Sequence, residues 1–444
     1  MDSILILNAN CVNEGTIQNR DIYIKEGRIE RVGTDLASQP ADQIINAEGR
    51  FLLPGMIDDQ VHFREPGSPQ IGNIFSESRA VVAGGITSYM EMPNTNPPTV
   101  DRKRIVEKLK IAAQHSFANY AFYLGATDDN LEEIKNVNER ETCGIKIFMG
   151  SSTGSLLVDD PESLDRIFAH APIIIATHCE DNSLIKDNEK IYLQKYGKDI
   201  PFRYHPLIRN VEACFNSSSF AIELARRHGT KLHVLHITTA DEFALFSDLQ
   251  LEEKHITAEA CVHHLFFDDS DYEKKGSLIK CNPAIKTQND RDAIRQAVID
   301  NKIDVIATDH APHALEDKMH TYFNAASGMP LGQHALISLL EHYHAGVFPL
   351  ELIVEKVSHA VARLFQLEDR GFIREGYWAD LVLIDVNKTY TVSEENILYK
   401  CGWSPFTGFT FKSSIDTTIV SGHIAYQKGE VDPNPAGKQL FFTR

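Results

Sequence analysis

The chain has no basic excess. Lys and Arg number 44 against 62 Asp and Glu, for a net charge of -18. A nucleic-acid binder needs a positive surface, and this balance argues against one. It does not exclude an anionic substrate, because one local arginine can override the global sign. The chain also lacks any CxxC pair. Its cysteines, Cys11, Cys143, Cys179, Cys214, Cys261, Cys281 and Cys401, are dispersed and odd in number. Such a set reads as reduced thiols in a cytoplasmic protein rather than a disulfide framework. No apolar run reaches ~18 residues, so no transmembrane helix is expected. The first ten residues carry no basic stretch and too short an apolar run for a signal peptide.

What is present is ordinary for a soluble enzyme: 43% hydrophobic and 24% charged residues. At 444 residues the chain is too long for one small core and suits a large barrel with an appendage. The ends read as short strands. Ser3 to Asn8, Gln18 to Lys25 and Arg28 to Val32 alternate between turn signals, and Ala379–Asp385 and Thr417–Gly422 have the same grammar. Both ends together suggest one small β-sandwich, residues 1–52 and 375–444, flanking residues 53–374.

The middle alternates strand and helix. Candidate strands are Met56–His62, Ile86–Met92, Tyr120–Gly125, Gly144–Met149, Ile173–Thr177, Lys231–His236, His255–Ala260 and Asp304–Thr308. Helices are expected around Ser76–Ala83, over Arg102–Gln114, over Val211–His228 up to Gly229, and over Thr239–Gln250, where Thr239 and Glu242 form a capping-box pattern. The charged stretch from Lys186 to Tyr204 reads as a loop that covers a site or mediates contacts. Eight such units predict an α/β (β/α)8 TIM-type barrel. The competing doubly wound sheet would gather its ligands at one switch point.

Histidines and carboxylates recur at the ends of these apolar runs. Ile57-Asp58-Asp59-Gln60-Val61-His62 opens the series. Ile173 to His178, Leu232 to His236 and Val305 to His310 repeat it. In a barrel these ends share one mouth, which brings together His62, Lys146, His178, His236 and Asp309. Any one histidine alone reads as a core residue; the repetition favours a metal site. Imidazoles with carboxylates suit zinc better than magnesium, and an open position makes such a site hydrolytic. Lys146 lies inside an apolar strand, where a charge is costly. It is either paired to a mouth carboxylate such as Asp309 or carboxylated by carbon dioxide into an anionic metal ligand.

Pro54-Gly55-Met56-Ile57-Asp58, His62-Phe63-Arg64-Glu65-Pro66-Gly67 and Glu91-Met92-Pro93-Asn94-Thr95 carry a resemblance. Thr308-Asp309-His310-Ala311-Pro312-His313 and Trp403-Ser404-Pro405-Phe406-Thr407-Gly408 extend it over essentially the whole chain. The sequence resembles the amidohydrolase superfamily, and dihydroorotases in particular. The resemblance implies a zinc site of one or two ions held by His62, carboxylated Lys146, His178, His236 and Asp309, with Asp309 also the catalytic base and acid. It implies Arg64, Asn94 and His313 as anchors for a substrate carboxylate, Asn282 as a contact to a pyrimidine ring, and backbone contacts from residues 326–330. The bland alternative for Arg64 is a surface salt bridge with Glu65, for Asn94 a turn role, for His313 a structural hydrogen bond. His263 and His264 read as supporting or core histidines.

One position departs from the pattern. The superfamily's first motif usually reads His-x-His, and here it is Gln60-Val61-His62. An amide oxygen is a weak ligand beside imidazole, so one metal of a pair would be weakened, displaced or absent. Three functions follow as expectations. The first is reversible cyclisation of carbamoyl aspartate to dihydroorotate, in pyrimidine biosynthesis. The second is another cyclic amidohydrolase activity, on hydantoins, dihydropyrimidines or allantoin. The third, carried by Gln60, is a non-catalytic partner of aspartate transcarbamoylase. A homodimer is implied by analogy alone.

Overall fold

Eight runs of residues buried on both faces become the barrel. In a computed structural model, which describes residues 3–150 and 156–444, they form eight parallel strands. These are β1 (Met56–Val61), β2 (Ile86–Glu91), β3 (Asn119–Gly125), β4 (Thr142–Phe148), β5 (Ile175–His178), β6 (Leu232–Val234), β7 (Ile256–Cys261) and β8 (Val305–Ala307). They pair in sequence order. Closure between first and last comes from a parallel bridge, Val61 to His310, and the His62 N–H donating to the His310 carbonyl at 2.7 Å. The buried Asp58 carboxylate adds a side-chain clasp, accepting from the Thr308 hydroxyl at 2.6 Å and the Thr308 N–H at 3.1 Å. Helices on the outside shield the strands, so the strands carry apolar residues on both faces.

The helix boundaries follow local chemistry. Asn73 caps Ile74–Ala83 by accepting the Ser76 N–H at 2.7 Å. Arg102–His115 starts at Asp101, and Val211–His228 ends at Gly229 with φ 69°. Thr239–Gln250 is not a helix; the chain makes only a 3-10 turn over Asp241–Ala244. The Thr239 hydroxyl donates to the Glu242 carboxylate, which also takes the Ser218 hydroxyl. The two side chains of the expected capping box bond each other in place of starting a helix. Lys186–Tyr204 is not a loop either. Asp181 caps a helix over Asn182–Tyr196, and Tyr192 and Tyr196 of its last turns pack against Tyr204.

The strands of both termini join one nine-stranded sheet. Phe51–Pro54 is its seam, lying parallel to Ser3–Asn13 and antiparallel to Leu381–Asp385. Ile4, Ile6, Ile22 and Ile24 from one end pack with Leu381, Leu383 and Ile419 from the other. The turns at Gly27 and Gly422 touch, leaving no room for a Cβ at Gly422 against the Gly27 backbone.

Candidate active site

The ends of the barrel strands surround a cavity of about 380 Å³. His62, Arg64, Asn94, Lys146, His178, His236, Asn282, Asp309 and His313 all line it, together with Gln60. Every side chain expected to hold metal or substrate is therefore in one place. His62 stands one residue past β1, Lys146 lies within β4, His178 closes β5, and His236 and Asp309 sit two residues past β6 and β8. Arg64, His236 and Asp309 have φ of 69°, 42° and 51°. Left-handed backbone at non-glycine residues costs about 1–3 kcal/mol each, and at these three positions it lies where the chain leaves the strands along the cavity wall.

The donors fall into two groups. On one side, His62 Nε2 is 3.1 Å from Asp309 Oδ1, and its Nδ1 is 2.7 Å from Asn94 Oδ1. Gln60 Nε2 donates to the same Asp309 oxygen at 3.2 Å. On the other side, His178 Nδ1 is 3.1 Å from His236 Nε2. Burial holds His62 and His178 below the usual imidazole range, and His236 well below it, with the neighbouring His178 adding to the effect. Neutral imidazoles carry free lone pairs, the form that binds metal.

Lys146 is 1% exposed, and its amine lies 4.7 Å over the Phe148 ring. Burial lowers its pKa to about 8, against the pull of Glu259 and Asp309. Arg64 is not tied to Glu65, whose carboxylate instead accepts the Ile74 N–H at 2.9 Å. Arg64 Nε donates to the Pro312 carbonyl at 2.9 Å, and Nη2 is 3.1 Å from His313 Nε2. Burial lowers this guanidinium to about 10, which leaves it charged at neutral pH. The Trp403 indole N–H holds the His313 carbonyl at 2.8 Å, which gives the Trp-Ser-Pro motif a reason. Gly328, at φ 130°, lets the 326–328 segment close on His313, where a Cβ would sit 2.8 Å from Ala311.

Two residues were not anticipated. Glu180 is fully buried and accepts from His178 Nε2 at 2.9 Å and Arg209 Nε at 3.0 Å. It fixes the His178 tautomer so that Nδ1 faces the cavity. A glutamate two residues beyond a strand-end histidine was the available signal. His263 and His264 are buried outside the cavity lining, and no residue of 186–204 lines it.

The amidohydrolase family pattern matches residues 51–425. The chain belongs to the amidohydrolase family. A dihydroorotase of Pyrococcus furiosus is 32% identical over 421 residues, covering 94% of this chain and 92% of that one. An allantoinase of Desulfitobacterium hafniense is 29% identical over 445 residues, covering 98% of each. Among solved structures, the L-hydantoinase of Arthrobacter aurescens superposes with a TM-score of 0.94 at 26% identity, over 99% of this amidohydrolase and 100% of that chain. The eight-stranded parallel barrel is thus the architecture of the family. All seven cysteines are free, and no helix among the described residues is long and apolar enough to cross a membrane.

Proposed function

We propose that this amidohydrolase is a dihydroorotase, interconverting N-carbamoyl-L-aspartate and L-dihydroorotate in pyrimidine biosynthesis. The observation that carries the reading is the charged Arg64 beside His313 and Asn94 on the cavity wall, with no carboxylate among the described residues paired to the guanidinium. That is the complement of an exocyclic carboxylate, which dihydroorotate has and which dihydrouracil and allantoin lack. The P. furiosus relative, named a dihydroorotase, supports it.

The donor set fits a divalent cation such as zinc. His178 and His236 offer nitrogens 3.1 Å apart, and His62 and Asp309 face the same cavity with Lys146. Bound there, such an ion supplies a water of lowered pKa and polarises a carbonyl. Lys146 would serve as its carbamate, formed when the neutral amine adds carbon dioxide and loses one proton. Arg64, Asn94 and His313 orient the ring through its carboxylate. Asn282 Oδ1, buried with no partner among the described residues, can accept a ring N–H. Asp309 takes the proton of the attacking water and returns it to the ring nitrogen as the amide C–N bond breaks.

The second reading is allantoinase, favoured by the D. hafniense relative of that name. The test is turnover of dihydroorotate, dihydrouracil and allantoin by one zinc-loaded sample. The highest kcat/KM on dihydroorotate is expected. Preference for allantoin would replace the reading. Bound metal with no turnover of any would favour the non-catalytic partner of aspartate transcarbamoylase.

A further inference from the structure

A second group of donors lies inside the barrel, and none of its members lines the cavity. Asp59 comes from β1, His233 from β6 and Glu259 from β7. Strands β1 and β6 are not neighbours, so this contact crosses the barrel interior. All three side chains are 0% exposed.

Their hydrogens are accounted for. The Thr257 hydroxyl donates its one hydrogen to the Leu232 carbonyl at 3.2 Å. It therefore accepts from His233 Nδ1–H, 2.8 Å away. In that tautomer His233 Nε2 presents a lone pair, and it points at Asp59 Oδ2 at 3.3 Å and Glu259 Oε2 at 3.9 Å. The other Glu259 oxygen is taken: it accepts the His236 N–H at 2.9 Å and the Cys261 thiol at 3.3 Å. Both Asp59 oxygens, Glu259 Oε2 and His233 Nε2 have no donor among the described residues. Donor atoms of the three residues lie within 4.8 Å of one another. The Tyr123 hydroxyl is also buried with no partner among the described residues.

Four acceptor atoms thus converge in the buried interior, none with a donor among the described residues. Two ionised carboxylates buried this way repel each other and lose their hydration, which is costly without a compensating positive charge. We propose that Asp59, His233 and Glu259 hold a divalent cation of the zinc class inside the barrel, separate from the cavity. One imidazole with two carboxylates is a borderline donor set that suits zinc or manganese. Thr257 fixes the ligating tautomer, as the outer partner of a metal-bound histidine does. With all three side chains 0% exposed and none lining the cavity, the ion is structural. It anchors Glu259, and Glu259 anchors the His236 N–H where the backbone turns left-handed into the cavity.

The full-length chain is crystallised with zinc, and diffraction is measured on both sides of the zinc absorption edge. An anomalous peak between Asp59, His233 and Glu259 is expected. Ordered side chains with no peak there would overturn the proposal and leave a shared proton as the bridge. Independently, His233→Gln and Asp59→Asn are analysed for zinc after gel filtration, with folding checked by circular dichroism. Each should bind about one zinc per chain fewer than the parent. Unchanged zinc in a folded variant would also overturn it. If neither variant folds, the edge measurement on the unaltered chain decides. A proposed cavity role for His178 is irrelevant to either readout, so failure of the dihydroorotase reading leaves this one standing.

Discussion

The Gln60 amide nitrogen donates to Asp309 Oδ1 across 3.2 Å, while its oxygen faces the Cys261 thiol at 3.8 Å. Where a second histidine would offer a lone pair, this chain offers a hydrogen. The amide is aimed at a carboxylate, so turning its oxygen there would set two acceptors against each other. Gln60 therefore supports Asp309 and does not compete for a cation. Gln60→His should raise bound zinc by about one ion per chain in elemental analysis. An unchanged count would mean that this position does not set the number of metals.

Arg64 is buried, charged and free of any carboxylate among the described residues, held only by the Pro312 carbonyl and His313. Charge-assisted bonds to a substrate carboxylate would be lost in Arg64→Gln. KM for dihydroorotate should rise roughly 10- to 100-fold with kcat changed less. Dihydrouracil, which has no carboxylate, is the control, and any turnover of it should be indifferent to the change. Equal effects on both substrates would assign Arg64 to the fold of the loop.

All eight barrel strands were legible in the sequence, and so were the side chains expected at their ends, which line one cavity. The strands are buried on both faces, so each reads as an apolar run, and the site residues sit at fixed distances from their ends. Val211–His228 was legible because Gly229 marks its end. Thr239–Gln250 misled because Thr239 and Glu242 have capping spacing but spend it on each other. Asn182–Tyr196 was hidden because it buries little of itself, with Ile185 its one fully buried residue. Partners across space, such as Glu180 with Arg209, or Asp59 with His233, carry no local pattern at all.

Lys146 has a pH dependence of definite sign. Carboxylation consumes the neutral amine, and burial brings that amine down to about 8. At pH of about 7 it is mostly ammonium and unreactive, and by about pH 9 it is mostly neutral. Metal-free protein equilibrated with 13C-bicarbonate should show a carbamate resonance that grows across this interval and is absent from Lys146→Met. Growth only near the ordinary lysine value would mean that the amine is not lowered.

Glu180 separates positioning from stability. Burial alone would raise its carboxyl; the Arg209 guanidinium and the His178 N–H outweigh that and hold it well below the usual range. In Glu180→Gln, His178 loses its anionic partner and becomes less basic. Zinc affinity of the cavity should fall about 10- to 100-fold. The same change leaves Arg209 buried and unpaired, which should cost about 3–5 kcal/mol in urea unfolding. Replacing both partners, Glu180→Gln with Arg209→Met, should restore much of the stability and none of the affinity. The sign with pH follows from the depressed carboxyl. Its contribution is complete above about pH 4.3, the unfolded value, and is lost as pH falls toward the lower folded value. The stability gap between parent and Glu180→Gln should therefore narrow on acidification below about pH 4. A gap that stays constant would mean that Glu180 acts through shape and not through charge.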